Sequence, residues 1–526
     1  MDIAMYFIKS VWLNSKLLQL LTLGPLSILL FVLFKKLYNA VRFILHYRSF
    51  PSKKSHLFFG DLKELIPSFP SLSSKASSTY AAEFILDQQA KNENEGVFVL
   101  WVSWYPVVSA CDYRAAEAIL TKPNHDKGSF YKFLGLKDGL VVSHGPKWKA
   151  RRRMIEPFFS TKTLSSYLPS MKQSFRSMIK ELGEEKMESI DMGENIHKCS
   201  LDIIMKSTMS ISIESLRERK NEMIRDLDFC EKTVITRMLN PLLWPENMFY
   251  NSELGKIFKE CENRIDHFTE SKIKERLESR TELPKVNESE REMRNDFIDL
   301  LLNHYKPDST DVTKSIDIEG MKEEILNLII AGHDTIASGL RWTLFLLSCN
   351  LDCQEKLYNE ISSSLDDDDN LTDLEAISKL TYLDQCIKES MRLYPPVPIL
   401  ARILDHDAQV GKYRILKGTV IIFSYYAIHR DSKVWENPDS FDPDRFSEER
   451  FAKIPKFAFI PFGHGQRSCI GQRFAMIEMK LFIIHLVRKY KLVSTQTVDQ
   501  VKFDMDVTMK PKTPLTLKLF PRETLA

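Results

Sequence analysis

The most constraining stretch of this 526-residue chain is IPFGHGQRSCIGQRFAMIEMK, ending at Lys480. Three glycines, Gly463, Gly465 and Gly471, surround a single cysteine, Cys469, with a basic residue two positions before it. Glycines at this density allow a tight backbone turn and close approach to something flat. A helix is expected to begin directly after Cys469, so its N–H groups and dipole would draw the thiol toward thiolate. Such a thiolate is a good soft ligand for iron. A zinc site would need three or four clustered ligands, and only His464 is near. A phosphate loop would need Gly-Lys-Ser/Thr, which is absent. The remaining alternative is a buried structural cysteine.

The rest of the chain narrows the setting. With 73 basic against 71 acidic residues the net charge is +2, which excludes nucleic-acid binding through bulk charge. Hydrophobic residues make up 44%, too many for a largely disordered chain. The eight cysteines are scattered and read as reduced thiols. Leu17 to Phe34 carries no charge and would reach roughly 27 Å as a helix, close to a hydrocarbon core. Lys35, Lys36, Arg42, Arg48, Lys53 and Lys54 follow it, against Lys9 and Lys16 before, which places the body of the chain in the cytosol. A cleaved signal peptide fits less well, since lysines rather than a small-residue site follow the run. The reading is a membrane anchor with its juxtamembrane segment over 1–50, and one catalytic domain over 51–526.

Within that domain, Val97–Cys111 is β-rich, with Pro106 marking a turn or an edge. Helical patterns dominate from Lys147 to Tyr394. Tyr413–Tyr426 returns to β with Gly418 at a hairpin, helix resumes over Gln472–Val487, and Leu515–Phe520 alternates like a strand. The expected class is mainly α, multihelical with small β-sheets, plus one N-terminal transmembrane helix.

The order Phe-Gly-x-Gly-x-Arg-x-Cys-x-Gly, filled by Phe462, Gly463, Gly465, Arg467, Cys469 and Gly471, resembles the haem-binding loop of the cytochrome P-450 monooxygenases. The resemblance implies that Cys469 is the proximal iron ligand of haem b, that Phe462 shields the thiolate, and that Arg467 pairs with a haem propionate. Thiolate ligation pushes electron density through iron and favours O–O cleavage. Other family motifs follow in order. Glu389 and Arg392, with Arg445 in FDPDRF, resemble the family's interior ion triad. EEILNLIIAGHDTIASGL resembles its distal oxygen-binding helix. There Asp334 and Thr335 form an acid–alcohol pair, and Gly332, at about 1 kcal/mol against Ala, suggests a loosened backbone. Trp148 and Arg152 match the Trp-x-x-x-Arg propionate contact, and Arg402 fits a later propionate arginine.

Within the superfamily the chain resembles the animal family-4 group, many of whose members hydroxylate fatty acids near the chain terminus. It carries Ala331 where many of them have a haem-esterifying Glu, so noncovalent haem is implied. It also has Ile336 in place of a second Thr, and PFGHGQRSC in place of PFSAGxRNC. The implied activity is insertion of one oxygen atom into an apolar substrate at the endoplasmic reticulum membrane. Electrons would come from NADPH through a reductase, with cytochrome b5 as a second candidate donor. A fatty acid or related lipid leads as substrate, ahead of a xenobiotic or hormone-like compound. The basic residues Lys147, Lys149, Arg151 and Arg153, with Lys453, Lys456, Arg473 and Lys480, form either a reductase-docking patch or a solvated face. A reductase-independent haem-thiolate isomerase or dehydratase, and a non-catalytic haem-binding protein, are the competing functions.

Overall fold

The computed structural model describes residues 31–56, 59–65, 78–122, 126–182, 189–212, 220–282, 296–307, 311–365 and 373–522. Its principal helices are α1 (residues 31–47), α2 (Gly145–Ile155), α3 (Thr161–Leu182), α4 (Met192–Met209), α5 (Lys220–Leu239), α6 (Glu253–Glu282), α7 (Ile318–Cys349), α8 (Leu351–Ser364), α9 (Thr381–Leu393) and α10 (Gln472–Lys489). Roughly 48 Å long at 1.5 Å per residue, α7 is the axis of the molecule. Asp317 caps it by accepting from the Gly320 N–H at 2.8 Å. Apolar residues on most of its faces pack against α4, α6, α9 and α10, as expected of a helix enclosed on all sides. One large core draws on α3, α4, α7, α9 and α10.

The main sheet has four strands: β1 (Val97–Val102), β2 (Tyr105–Ala110), β3 (Ile399–Ile403) and β4 (Val420–Ser424), in the order β1-β2-β4-β3. β2 and β4 run parallel and the other neighbours antiparallel. Along β1, Val97, Val99 and Trp101 enter one core while Phe98 and Leu100 enter another. That two-sided burial explains why the segment reads as a continuous apolar run. A three-stranded sheet of Ile190–Asp191, Tyr490–Ser494 and Thr516–Pro521 bears out the C-terminal strand. The hairpin of β5 (Phe503–Met505) and β6 (Met509–Pro511) reaches toward α7.

Two turns differ from expectation. Pro106 lies inside β2 opposite Trp101, and the chain reverses earlier, with Ser103 at φ 60°. Parallel pairing to β4 starts at Val107, so β4 never requires the missing Pro106 N–H. Gly418, at φ 83°, turns the chain into β4 but closes no hairpin. The hairpin there joins Ala408–Val410 to Tyr413–Ile415 through Gly411.

Most of the expected membrane span, up to residue 30, lies outside the described residues. No helix among the described residues is long and apolar enough to cross a membrane. Its continuation, α1, exposes Phe31, Phe34, Leu37, Tyr38, Val41 and Leu45.

Candidate active site

The cysteine loop is held by its own backbone. The Gly463, Ser468 and Cys469 N–H groups donate to the carbonyls of Ile460, Gly465 and Phe462 at 2.9, 3.0 and 2.9 Å. Gly463 and Gly465 adopt φ of 74° and 77°, which side-chain-bearing residues rarely do. α10 starts at Gln472 rather than directly after the cysteine, and its N-cap Gly471 offers no side chain. The Gly471 N–H is thereby left to the Cys469 thiol. Burial pushes the thiol up, against the lowering effect of that N–H and of the nearby charges of Lys127 and Arg152.

The thiol faces a cavity of about 650 Å³. Phe462, Arg467, Trp148, Arg152, Asp334 and Thr335 line it together with Cys469. These residues come from three distant stretches of sequence, and the fold assembles them. Arg152 Nη1 donates to the Ser468 carbonyl at 2.8 Å, tying α2 to the cysteine loop. The Arg467 guanidinium stacks over the Trp148 ring at 3.9 Å and donates to the Ser143 carbonyl at 2.8 Å. Most of the remaining lining is apolar, including Leu136, Leu140, Val234, Ile330 and Met505.

On the opposite wall α7 is unbroken through Gly332. A Cβ there would stand 2.8 Å from Ile204 Cδ1. The glycine therefore serves close packing of α4 on α7 rather than a loosened backbone. Asp334 and Thr335 are neighbours but not partners. Thr335 Oγ1 donates back to the Ala331 carbonyl at 2.8 Å, whereas Asp334 Oδ2 accepts from Thr508 Oγ1 at 2.5 Å.

Glu389, Arg392 and Arg445 form a separate buried cluster. Arg392 Nε and Nη2 donate to the two Glu389 oxygens at 2.6 and 2.8 Å, and Arg445 Nε lies 3.3 Å from Oε1. Arg392 also donates to the carbonyls of His429, Pro438 and Ser440. The basic patch is smaller than expected. Arg151 is buried beside Glu324, Lys147 bridges Asp138 and Glu323, and Lys480 pairs with Asp384. Lys149, Arg153, Lys453, Lys456 and Arg473 remain exposed.

A family model described as cytochrome P450 matches residues 80–519. The chain belongs to the cytochrome P450 family. It is 32% identical to human cytochrome P450 4V2 over 435 residues, covering 80% of this chain and 81% of that protein. It is 31% identical to cytochrome P450 4c21 of Blattella germanica over 394 residues, covering 74% and 77%. The relatives thus include family-4 proteins, in agreement with the sequence motifs. The crystal structure of the cytochrome P450DA heme domain superposes with a TM-score of 0.75 over 90% of this chain and 98% of that one, at 23% identity, and so shares the fold. The protein is accordingly a cytochrome P450 monooxygenase, an oxidoreductase of a family built around haem-thiolate.

The P450 cavity fits that group by its charge as well as its thiol. Lys127, Arg152 and Arg467 line one end, and the Arg402 charge acts on Lys127 and Arg467 from outside the lining. Burial and their mutual repulsion bring Lys127 down to about 7 and Arg467 to about 10. Asp126 lies 3.1 Å from Arg467, and the Glu156 charge acts on Arg152. Arg467 Nη1 is buried without a hydrogen-bond acceptor. Arg402 is only 2% exposed and donates to the carbonyl of Ala401, which argues against a solvated surface role. Such a cluster is complementary to a ligand bearing two carboxylates. Lys127 was not legible in the sequence, because no spacing joins it to Cys469 and the two meet only in the folded chain.

Proposed function

We propose that this P450 inserts one oxygen atom into an apolar substrate, a fatty acid or related lipid. The observation that carries the reading is the shared cavity. The Cys469 thiol and the Thr335 hydroxyl line one apolar chamber whose thiol end is cationic. Haem b, expected to be noncovalent because Ala331 offers no carboxylate for an ester link, would supply the oxygen activation. Cys469 would hold the iron through its sulfur. Trp148, Arg152, Arg402 and Arg467 would hold the propionates by charge and stacking, and Phe462 would keep water from the sulfur. Apolar side chains exclude water and orient a hydrocarbon segment toward Thr335, which with Asp334 holds and moves protons on that side. Glu389, Arg392 and Arg445 keep the cysteine-side core rigid and take no part in the chemistry.

Electrons would come from NADPH through a reductase docking on Lys149, Arg153, Lys453, Lys456 and Arg473, with cytochrome b5 as a second donor. We further propose residues 1–50 as an endoplasmic reticulum anchor and juxtamembrane segment, with the catalytic domain 51–526 on the cytosolic face. The apolar exposure of α1 supports this. A second substrate reading, an uncharged xenobiotic or hormone-like compound, is favoured by one feature. Glu231, Glu262 and Asp266 in the chamber lining already pair with Lys510, Lys259 and Lys137, so those lysines are taken up and not offered to a fatty carboxylate.

The test is the absorption spectrum of the reduced, carbon-monoxide-bound protein. The strongly red-shifted band of thiolate-ligated haem is expected from wild type and lost in Cys469→Ala, together with reductase-dependent hydroxylation. Hydroxylation retained in Cys469→Ala would overturn the reading.

A further inference from the structure

Three elements meet in a charged cluster on the cavity wall away from Cys469. Lys510 Nζ on β6 stands 2.5 Å from Glu231 Oε1 on α5 and 3.4 Å from Asp334 Oδ1 on α7. Glu231 and Asp334 share a hydrogen bond, and Thr508 Oγ1 holds the other Asp334 oxygen. Glu231, Asp334 and Thr508 all line the cavity. No motif in the sequence pointed to Glu231 or Lys510.

Two carboxyl groups facing one ammonium in an apolar chamber do not both ionise, so one retains a proton. The contacts decide which. Asp334 has the Lys510 ammonium and the Thr508 hydroxyl to favour its charge, and is held well below the usual carboxylate range. Glu231, buried beside the Asp334 charge with Lys510 alone to offset it, is pushed up to about 7. The other charged or titratable groups facing the cluster are Asp228 on α5, Asp506 in the β5–β6 turn, and His197 on α4, whose ring lies 4.8 Å from that of His333. Burial keeps both imidazoles neutral, so neither competes as the proton carrier.

We propose that Glu231 is a positioning residue that carries the proton passed to Asp334, with Lys510 clasping the two carboxyl groups together. This rests on the reading that Asp334 moves protons toward Thr335. Glu231 donates its O–H proton to the Asp334 carboxylate, is left as a carboxylate opposite the Lys510 ammonium, and regains a proton from hydronium in bulk solvent, relayed through water in the cavity. Because Lys510 and Thr508 sit on the β5–β6 hairpin and Glu231 on α5, the clasp also fixes the two elements against α7.

The test uses the full-length haem protein with an NADPH reductase and lauric acid as probe. Glu231→Gln is expected to keep the red-shifted carbon monoxide band and to bind the probe. It should yield roughly tenfold less product per NADPH, with hydrogen peroxide making up the difference. In wild type the product yield falls as pH rises through about 7, as Glu231 loses its proton; Glu231→Gln loses that limb and Glu231→Asp restores one. Wild-type yield and limb in Glu231→Gln, with Asp334→Asn impaired, would overturn the proposal and leave the Asp334 reading standing. No effect in either variant would end both. An infrared titration needs no substrate. The wild-type minus Glu231→Gln difference spectrum should show a protonated carboxyl band with a midpoint near neutrality, the bands of Glu324 and Glu478 cancelling between the two proteins. Should that variant fail to take up haem, Lys510→Met must move the midpoint upward, and an unmoved midpoint overturns the proposal.

Discussion

Burial outweighs a Ser200 contact at Glu478 on α10. Both its oxygens are sealed from solvent beside the Ser200 hydroxyl, and its pKa is pushed up to about 8. The folded chain therefore binds this proton more tightly than the unfolded chain. Its contribution to stability is complete below the ordinary glutamate range and is lost as pH rises toward 8. Wild-type thermal midpoints should thus fall between pH 6 and 8.5, and Glu478→Gln should flatten that fall by an amount on the order of a few kcal/mol. Parallel melting curves of the two proteins at both pH values check it. Residues of this kind mark the limit of sequence reading. Cys469, Phe462 and Arg467 were legible because one tight loop contains them all. Glu389 and Arg392 were legible because they share a helix face at i and i+3. Lys127, Glu231 and Lys510 gain their chemistry mainly from neighbours a hundred or more residues away, and no local pattern announces that.

At the scale of the element, the α4–α7 contact replaces the expected loosened helix. Adding a methyl group at Gly332 gains helix propensity of about 1 kcal/mol but collides with Ile204, whose Cγ1 and Cδ1 would lie 3.1 and 2.8 Å away. Overpacking of this kind costs about 1–3 kcal/mol, so Gly332→Ala should be net destabilising. Gly339→Ala, which meets the flexible end of Met479, should be milder. Trimming the obstacle with Ile204→Val should recover part of the loss, and a double-mutant cycle of thermal midpoints at constant haem content measures the coupling. The helical elements followed their periodicity closely, including α10, expected over Gln472–Val487 and found over Gln472–Lys489. The hairpins did not, because a strand buried on both faces has no alternation to fix its turns.

At the scale of the whole molecule, α1 leaves the catalytic body with large apolar side chains in the open, Phe31 and Phe34 being exposed by 66% and 67%. Surface of that kind on a monomer calls for a covering. Removal of residues 1–34 is expected to release the protein from microsomes under alkaline carbonate while sparing the carbon monoxide band. Full-length protein should stay in the pellet. If the truncated chain pelleted equally, the anchor assignment would fail.

The parallel pairing of β2 with β4 has a consequence in time. Val107 pairs with Val420, and Arg152 with Ser468 at the far end of the chain. At roughly 5–20 residues per second, a ribosome needs tens of seconds between delivering one partner and delivering the other. Through that interval the apolar walls of the future chamber have nothing to close against. Acquisition of the prosthetic group is therefore an event that follows synthesis rather than accompanies it, and the nascent chain must be sheltered until its last segments arrive.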